Sequence, residues 1–519
     1  MPANSHETRP VDWPSPVELS PYDGANAELL RNVAPSGWNN PTPKNRYHLV
    51  VIGAGTAGLV SAAIAAGLGA RVALVERHMF GGDCLNFGCV PSKAVIRAAR
   101  AWHDARTAAR DFGGPAVAGD GDFGAVMARM RKLRAHLSDV DSVARFAGLG
   151  VDVFIGEGAF TGADTLTVGG ATLRFRRAII ATGARAARPP IPGLSDTPYD
   201  TNESIFSLTE RPERLVVIGG GPIGTELAQS FARFGTEVTL LHADPRVLPR
   251  EDADAAAIVA RSLAADGVRV VNGARIASVA HAEGVFSVEL SGEHDSSVLH
   301  ADRLLVATGR TPNVERLGLE AAGVATTRAG VTVNDRYQTS NRRIYAIGDV
   351  ASALQFTHVA DAQARRAVAN ALFFGMGGGG NRDLVVPRVT YTSPEVAHVG
   401  AMPDEAQARG QAVEVLRVDL TANDRSVLEG DDAGFLKVYL ASGTDRIVGA
   451  TLVAAHAGEM IGELGIAITH GLGLGKVGAT IHAYPTQSDV FRRAADTWRR
   501  RKLTSSAKTL FANWFRLFR

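Results

Sequence analysis

An apolar run, a set of glycines and a helical pattern follow one another where periodicity begins in the chain. Residues 48–52 are typical of a buried parallel strand, residues 59–68 repeat at helical spacing, and a second strand over 71–75 ends at Glu76. The glycines between the first strand and the helix are Gly53, Gly55 and Gly58. Such glycines let a pyrophosphate approach the helix N-terminus, and the acid can hydrogen-bond a ribose hydroxyl. The pattern predicts a dinucleotide site.

The same pattern occurs a second time further along the chain. Residues 215–218 predict a strand and residues 225–234 predict a helix. The glycines of the intervening turn are Gly219, Gly221 and Gly224. A single glycine motif is weak evidence, but the whole unit of strand, turn and helix is strong. We therefore expect a second dinucleotide site.

The two sites differ at the end of their second strand. The step of 23 residues from Gly53 to Glu76, repeated from Gly219, reaches His242, so the acid is missing there. An acid suits a free ribose 2′-hydroxyl, whereas a 2′-phosphate is attracted by cations. His242 and Arg246 therefore favour NADPH at the second site. The alternative is that His242 faces solvent and NADH is accepted.

The rest of the chain predicts further strands, a helical segment and an N-terminal arm. Apolar strand ends recur at residues 178–183, 304–310 and 344–349. The last of them closes on Asp349, before a helical segment from His358. Residues 434–440 and 446–452 predict antiparallel strands around a turn. Residues 1–46, rich in Pro, Asn and Ser without periodicity, predict an extended or disordered arm.

The only two cysteines of the 519 residues, Cys84 and Cys89, lie in the segment 81–93, GGDCLNFGCVPSK. A C-x4-C pair at a helix start can open or close a disulfide with little rearrangement. Pro91 stands near the start of a helix-forming run, and Lys93 lies one turn in. The positive helix N-terminus and the lysine favour the thiolate of Cys89. The alternatives are a static disulfide or two buried cysteines.

Composition narrows the class of protein. The formal net charge is +2, and nothing in the composition suggests nucleic acid as a partner. Two cysteines do not make a secreted disulfide framework, which indicates a reducing, cytoplasmic compartment. The N-terminus shows no secretion signal, and no apolar run reaches the ~18 residues of a membrane span. We expect no resident metal site.

The C-terminal segment is strongly basic. Residues 491–519 hold nine Lys and Arg against one acid, Asp496. Large apolar residues recur there at helical spacing, at Leu510, Phe511, Trp514, Phe515 and Phe518. Residues 499–519 therefore predict a basic amphipathic tail that is able to lie on an anionic membrane surface, which would make the protein peripheral at the inner membrane face. The alternative is a terminal helix docked on the body or on a partner subunit.

Together, the two dinucleotide units, the cysteine motif and the strand end at Asp349 resemble the two-dinucleotide flavoprotein disulfide reductases. This family includes dihydrolipoamide dehydrogenase, glutathione reductase and mercuric reductase. The resemblance extends from about residue 47 to about residue 493, and its motifs occur in the order of the family. It implies an α/β fold with two Rossmann-like domains, the NAD(P) domain inserted in the FAD domain, and a C-terminal α+β dimerisation domain.

The resemblance also implies domain boundaries and cofactor-binding residues. The expected segments are an arm (1–46), the FAD domain (47–190 and 312–386), the NAD(P) domain (191–311), the interface domain (387–498) and the tail (499–519). The expected FAD-binding residues are Gly53, Gly55, Gly58, Glu76, Lys93, Gly158, Thr182, Gly183 and Asp349. The expected NAD(P)H-binding residues are Gly219, Gly221, Gly224, His242, Arg246 and Gly309.

The chemistry implied by the resemblance is a two-electron transfer from NADPH, with NADH as the alternative donor, through FAD to the cysteine pair. Lys93 matches the lysine near flavin N5, and Glu226 matches its ion-pair partner. Cys89, nearer the flavin, would accept electrons as the disulfide opens. Cys84 would then be the exchanging thiolate, which attacks a disulfide or binds a soft metal ion such as Hg(II).

The chain departs from the family near its C-terminus. Disulfide reductases place a His-Pro-Thr segment there, with a Glu five residues after the His, and this pair serves the partner subunit's cysteines as acid and base. Aligned on Pro485 and Thr486, the His position is Tyr484 and the Glu position is Asp489. A Tyr with an ordinary pKa near 10 accepts a proton poorly at neutral pH. His482 is a weak substitute, because it lies two residues away in an extended segment.

Mercuric reductases also carry a Tyr at this place, so the chain most resembles that branch. Their C-terminal vicinal cysteines have no counterpart here, which excludes relay of the metal by further thiols. We therefore expect a homodimeric, mercuric-reductase-like flavoprotein acting on a small disulfide, a thiol or a thiophilic metal ion. The alternatives are a dihydrolipoamide dehydrogenase and a membrane-surface redox partner.

Overall fold

The computed structural model describes residues 17–291, 297–373, 375–376 and 379–518. The chain forms two compact units. The first contains residues up to Gly219 together with Ser230–Val238 and Arg275–Leu384, and the second contains the remainder. Among the described helices, none is both long enough and apolar enough to cross a membrane. The finer domain boundaries drawn from the sequence stay predictions.

The elements alternate between helix and strand over most of the chain. The helices are α1 Gly24–Val33, α2 Thr56–Gly67, α3 Gly82–Asn86, α4 Cys89–Phe112, α5 Phe123–Ser138, α6 Val143–Gly148, α7 Pro222–Arg233, α8 Ala253–Ala265, α9 Thr357–Leu372, α10 Pro403–Ala408, α11 Asp424–Glu429, α12 Ala457–Thr469, α13 Leu474–Val477, α14 Asp489–Arg501 and α15 Ser505–Arg516. The strands are β1 Tyr47–Ile52, β2 Val72–Glu76, β3 Asp152–Ile155, β4 Gly158–Gly162, β5 Thr165–Val168, β6 Ala171–Ile180, β7 Ala184–Ala186, β8 Arg214–Ile218, β9 Glu237–His242, β10 Arg269–Asn272, β11 Ile276–Ala282, β12 Val285–Leu290, β13 Ser297–Ala301, β14 Arg303–Val306, β15 Arg310–Pro312, β16 Thr326–Thr327, β17 Gly330–Val331, β18 Ile344–Ala346, β19 Pro387–Thr390, β20 Glu395–Gly400, β21 Val413–Asp419, β22 Phe435–Ala441 and β23 Ile447–Ala454.

The first unit is built on a seven-stranded sheet in the order β3-β2-β1-β6-β5-β4, with β18 also paired to β6. β1 runs parallel to β2 and to β6, and β18 runs parallel to β6. Alternate residues of β1 pack into two different hydrophobic cores, one on each face of the sheet, because successive side chains of a strand point to opposite faces. Leu49 and Val51 pack with helices α2 and α9, whereas Val50 and Ile52 pack with Phe154 on the other face. Burial on both faces explains the uninterrupted apolar run.

Part of the predicted N-terminal arm is helical, so the prediction of an extended segment over residues 1–46 is wrong for α1. Asp23 caps this helix by accepting a hydrogen bond from the Asn26 N–H at 2.9 Å. Leu29 and Val33 are fully buried in the same hydrophobic core as Leu49 and Val51. The apolar positions of α1 form a short pattern between prolines, so the sequence alone did not indicate a helix there. Residues 1–16 of the arm lie outside the described residues.

The second unit contains a five-stranded antiparallel sheet in the order β19-β20-β23-β22-β21. The predicted antiparallel pair is confirmed as β22 and β23, with Val438 opposite Ala450. The apolar faces of α12 and α14 complete this core, with Leu464 and Phe491 fully buried. The sheet therefore has the helix-covered face expected of an α+β domain.

Candidate active site

The two cysteines lie on consecutive short elements of the first unit. Cys84 is in α3, and Cys89 is the first residue of α4, after Gly88. Neither cysteine is in a disulfide, and their side chains hydrogen-bond to each other. The Thr357 hydroxyl, at the start of α9, lies 3.3 Å from the Cys89 sulfur. The predicted placement of Cys89 at a helix N-terminus is confirmed.

The electrostatics of the pair favour ionisation of Cys89 over ionisation of Cys84. The hydrogen bond from Cys84 lowers the pKa of Cys89 to about 6 although partial desolvation opposes this, and Thr357 and the charge of Lys93 act in the same direction as Cys84. The hydrogen bond to Cys89, burial and the Cys89 charge raise the pKa of Cys84 well above its ordinary range. Cys84 is therefore a thiol, and it needs a proton acceptor before it can act as the predicted exchanging thiolate.

Removing the Thr357 hydroxyl is expected to weaken the Cys89 thiolate. In Thr357→Val we expect the pKa of Cys89 to rise by about one unit, because a hydrogen bond to a charged sulfur is lost. Thiolate absorbance of the reduced protein, followed against pH, measures this shift. Thr357→Ser retains the hydroxyl and serves as the control. A Val variant that titrates like the unmodified protein would contradict the role of this contact.

Contacts among three polar residues that the sequence did not single out fix the position of the cysteine-containing segment 81–93. Asn202 donates to the Asp83 carboxylate at 2.9 Å and to the Phe87 carbonyl at 3.3 Å. Arg310 lies 3.3 Å from the other Asp83 oxygen and 3.4 Å from the Asp349 carboxylate. The charge of Asp83, next to Cys84 in sequence, opposes ionisation of both thiols. In the sequence, the only indication of these contacts was the acidic residue immediately before the first cysteine.

The first glycine turn has the shape required for the pyrophosphate of FAD. Gly53 has a φ of +100°, and a Cβ there would overlap the Ala181 carbonyl. Gly55 caps α2 without any side-chain hydrogen bond, so the first N–H groups of the helix remain available to an anion. The cysteine-containing segment 81–93 packs on this turn, since a Cβ on Gly82 would lie 2.6 Å from the Gly55 Cα. These features fit bound FAD.

The remaining FAD candidates line the same sheet edge. Glu76 accepts the Ala54 N–H at 2.6 Å with one carboxylate oxygen and the His78 N–H at 2.8 Å with the other. Thr182 donates to the Asn313 carbonyl at 2.7 Å. Burial raises the pKa of Asp349, and the charge of Arg310 offsets part of this effect.

The glycines at positions 58, 158 and 183 make three different contributions to this edge. Gly58 lies in α2, where a Cβ would overlap the Gly53 carbonyl. Gly158 begins β4, where a Cβ would lie 2.9 Å from the Val75 side chain. Gly183 has a φ of +65°, in the left-handed region that favours glycine. Their predicted role in FAD binding stays a prediction.

The second glycine turn repeats the first with a different partner. Gly219 has a φ of +119°, and the Gly220 N–H donates to His242 Nδ1 at 3.1 Å, as the Ala54 N–H does to Glu76. His242 therefore occupies the place of the acid and does not face solvent, with its Nε2 3.3 Å from Asp244. In this turn, Gly221 has open space around a Cβ, and Gly224 lies within α7.

Arg246 and Gly309 complete the second set of candidates. The guanidinium of Arg246 donates to the carbonyls of Leu248, Pro249 and Glu251, each at 3.0 Å. These contacts occupy the guanidinium that is expected to bind a 2′-phosphate, and its role in NADPH binding stays a prediction. Gly309, before β15, has a φ of +140°.

The C-terminal candidates, Tyr484 and Asp489, each contact a side chain of their own unit. The Tyr484 hydroxyl donates to Asp424 at 3.0 Å, which raises the pKa of Tyr484 further. Burial favours protonation of Asp489, but its hydrogen bonds to Arg492 and Arg493, both at 2.7 Å, outweigh this and lower its pKa. The carboxylate of Asp489 thus stabilises the start of α14, and its predicted catalytic role is not supported by these contacts.

Two further side chains of the second unit are held in place. His482 Nδ1 donates to the Thr480 carbonyl at 3.1 Å, and Nε2 lies 2.9 Å from Glu463. Glu226 is buried and accepts the Tyr391 N–H at 2.8 Å. Lys93 belongs to the first unit, so its predicted ion pair with Glu226 stays a prediction. Over the described ranges, no group of three or more His, Cys, Asp or Glu side chains converges as a metal site.

Comparison with known proteins agrees with this arrangement. Residues 47–364 match the family described as pyridine nucleotide-disulphide oxidoreductase, and residues 386–495 match its dimerisation domain. The chain is 35% identical to a mercuric reductase of Lysinibacillus sphaericus over 88% of this chain and 83% of that protein. It is 32% identical to the dihydrolipoyl dehydrogenase of Bacillus subtilis over 86% of this chain and 97% of that protein.

A solved structure gives the same result. The Cu(II) complex of the HOCl-induced flavoprotein disulfide reductase RclA from Escherichia coli aligns with a TM-score of 0.77 and 31% identity, over 88% of this chain and 100% of that one. The fold class predicted from the sequence is thereby confirmed. The chain belongs to the pyridine nucleotide-disulphide oxidoreductase family and is an FAD-dependent enzyme that takes electrons from NAD(P)H.

Proposed function

We propose that this enzyme is a homodimer that reduces a thiophilic metal ion of the Hg(II) or Cu(II) type at Cys84 and Cys89. The observation that carries the proposal is the charge state of the pair, a Cys89 thiolate beside a Cys84 thiol of raised pKa. The match of residues 386–495 to a dimerisation domain supports the homodimer.

Disulfide exchange at Cys84 requires a group that accepts the thiol proton and later returns it to the leaving sulfur. Tyr484 stands where the family has its histidine, and its hydroxyl donates to Asp424 with a raised pKa. It is therefore a poor base at neutral pH. Metal binding needs no such base, because the cation itself displaces the thiol proton. The site thus favours a metal ion over a disulfide.

The proposed half-reaction conserves atoms and charge. One thiolate, one thiol and Hg²⁺ give a disulfide, Hg⁰ and one proton, and two Cu²⁺ in place of Hg²⁺ give two Cu⁺. Soft thiolate ligands suit both metals. Bound FAD would carry the two electrons of a NAD(P)H hydride to the cysteine pair. Lys93 stabilises the Cys89 thiolate electrostatically in the reduced state.

Two named relatives support this choice of substrate. Mercuric reductases are 35% and 37% identical to the chain over nearly nine-tenths of its length. A Cu(II) complex is known for RclA, a flavoprotein disulfide reductase 31% identical to it. The mercuric reductases are named for a thiophilic metal ion, and RclA, although named a disulfide reductase, forms a complex with one.

An acceptor panel tests the proposal. We expect NADPH oxidation by the holoenzyme to be stimulated by Hg(II) or Cu(II) at least about tenfold more, in kcat/KM, than by lipoamide or glutathione disulfide. Cys84→Ser is the control for reaction of the metal with other groups, and it should abolish the stimulation. A disulfide that equals the metal ions as acceptor would overturn the proposal.

We further propose that NADPH is the preferred donor, supported by the histidine at the place of the acid. In His242→Glu the new carboxylate would repel a 2′-phosphate, so we expect kcat/KM for NADPH to fall about tenfold while that for NADH changes little. Stopped-flow reduction with each nucleotide measures both values. His242→Gln retains a hydrogen-bonding side chain without adding a carboxylate and is the control. An unchanged ratio in the Glu variant would argue against discrimination at this residue.

A further inference from the structure

The C-terminal helix α15 carries an apolar face that the described part of the chain leaves uncovered. The helix begins after Thr504, whose hydroxyl accepts the Ala507 N–H at 3.2 Å. Its large apolar side chains, together with those just after it, are 49% to 77% exposed, at Leu510, Phe511, Trp514, Phe515, Leu517 and Phe518. This exposure excludes docking of the apolar face on the described body of the same chain, one of the two alternatives for the tail.

Positive charge surrounds this apolar face. Lys508 and Arg516 lie on the helix, and the basic run 499–502 ends the preceding helix α14. The acid nearest in sequence, Asp496, is already bound by Arg492 at 3.0 Å and by Arg499 at 3.3 Å. Aromatic side chains flanked by Lys and Arg suit the boundary between acyl chains and headgroups.

We propose that α15 binds in the plane of an anionic lipid membrane. Phe511, Trp514 and Phe515 enter the acyl boundary, while Lys508 and Arg516 contact lipid phosphates. The helix has 12 residues, so it is about 18 Å long and too short to cross a hydrocarbon core of about 30 Å. It therefore lies on the membrane and does not span it.

A second copy of the chain is the competing occupant of this face. The match to the dimerisation domain ends at residue 495, before α15 begins. RclA aligns over its whole length with 88% of this chain, so the shared fold does not require the additional residues. The net positive charge of the tail also repels an identical tail and attracts anionic lipid. These observations favour the membrane.

Vesicle binding of the full-length holoprotein tests the proposal. We expect sedimentation with vesicles of phosphatidylcholine and phosphatidylglycerol in a two-to-one ratio, and at least about tenfold weaker binding to phosphatidylcholine alone. Binding to the mixed vesicles should fall again at about 0.5 M NaCl, where charges are screened. Trp514 emission should shift to shorter wavelength on binding, and Trp514→Phe should lose this signal.

Matched variants distinguish binding through the apolar face of α15 from nonspecific binding through other exposed apolar residues. Phe511→Ser with Trp514→Ser is expected to weaken binding at least about tenfold. The control is Val140→Ser with Leu149→Ser, which removes two exposed apolar residues, 56% and 45% exposed, from the first unit and should leave binding unchanged. NADPH oxidation should be the same in all of these proteins.

Deletion of residues 503–519 gives the decisive comparison. Loss of vesicle binding with the oligomeric state unchanged in sedimentation velocity would support the proposal. Unchanged vesicle binding after the deletion would overturn it. So would a full-length protein that ignores the vesicles and dissociates into smaller species when the tail is removed, since the occupant would then be a second copy.

Discussion

Cys89→Ser is expected to lower kcat/KM for metal-ion reduction by about 10³-fold or more, because it removes the only thiolate of the reduced pair. The pKa of Cys89 is about 6, so this sulfur is ionised at neutral pH. In Cys89→Ser the remaining thiol is still partly buried and still beside the Asp83 charge, and both raise its pKa. The variant should therefore show almost no thiolate absorbance at pH 7.

Cys84→Ser is the matched variant. It too should lose metal-ion reduction, because no disulfide can form, but a serine hydroxyl can still donate to the Cys89 sulfur. We expect its thiolate absorbance to rise with pH through about 6 and its alkylation rate to follow the same curve. The result that would contradict the assignment is a thiolate present at neutral pH in Cys89→Ser and missing in Cys84→Ser.

The parts of the site that follow from local sequence were predicted well. The strand, glycine turn and helix of each dinucleotide unit appear where the periodicity placed them, from β1 to β2 and from β8 to β9. The step of 23 residues also matched Glu76 with His242, and both accept the N–H that follows the first glycine of the turn. Such features depend on contacts between neighbouring elements, which a pattern of apolar and glycine positions encodes directly.

The contacts that set the charge of the site were not predictable in this way. Thr357 reaches Cys89 from 268 residues along the chain, and Arg310 binds Asp83 from a strand elsewhere in the first unit. Arg246 is a second example, because the cation predicted to bind a 2′-phosphate also donates to three backbone carbonyls that the sequence does not indicate. A single sequence indicates which groups are present, but the partner of a long side chain depends on tertiary packing.

Gly58→Ala is expected to lower the free energy of unfolding by about 3 kcal/mol and to yield protein with little bound FAD. A Cβ at this position of α2 would overlap the Gly53 carbonyl, which is backbone and cannot move aside as a flexible side chain could. The glycine turn would have to shift, and with it the N–H groups that the helix N-terminus offers to the pyrophosphate. Urea unfolding of the apoprotein and the flavin absorbance per chain after purification measure the two effects separately.

Gly67→Ala, in the last position of the same helix, is the matched control. Apart from its chain neighbours and the backbone of its own helix, no atom of the described residues lies within 4 Å of a Cβ built there. Alanine has the higher helix propensity, so we expect stability to be unchanged or to rise by up to about 1 kcal/mol, with a full complement of FAD. Equal flavin content in the two variants would show that the close approach of Gly58 to Gly53 does not shape the cofactor site. Loss of flavin in Gly58→Ala alone would tie FAD binding to this contact between the turn and its helix.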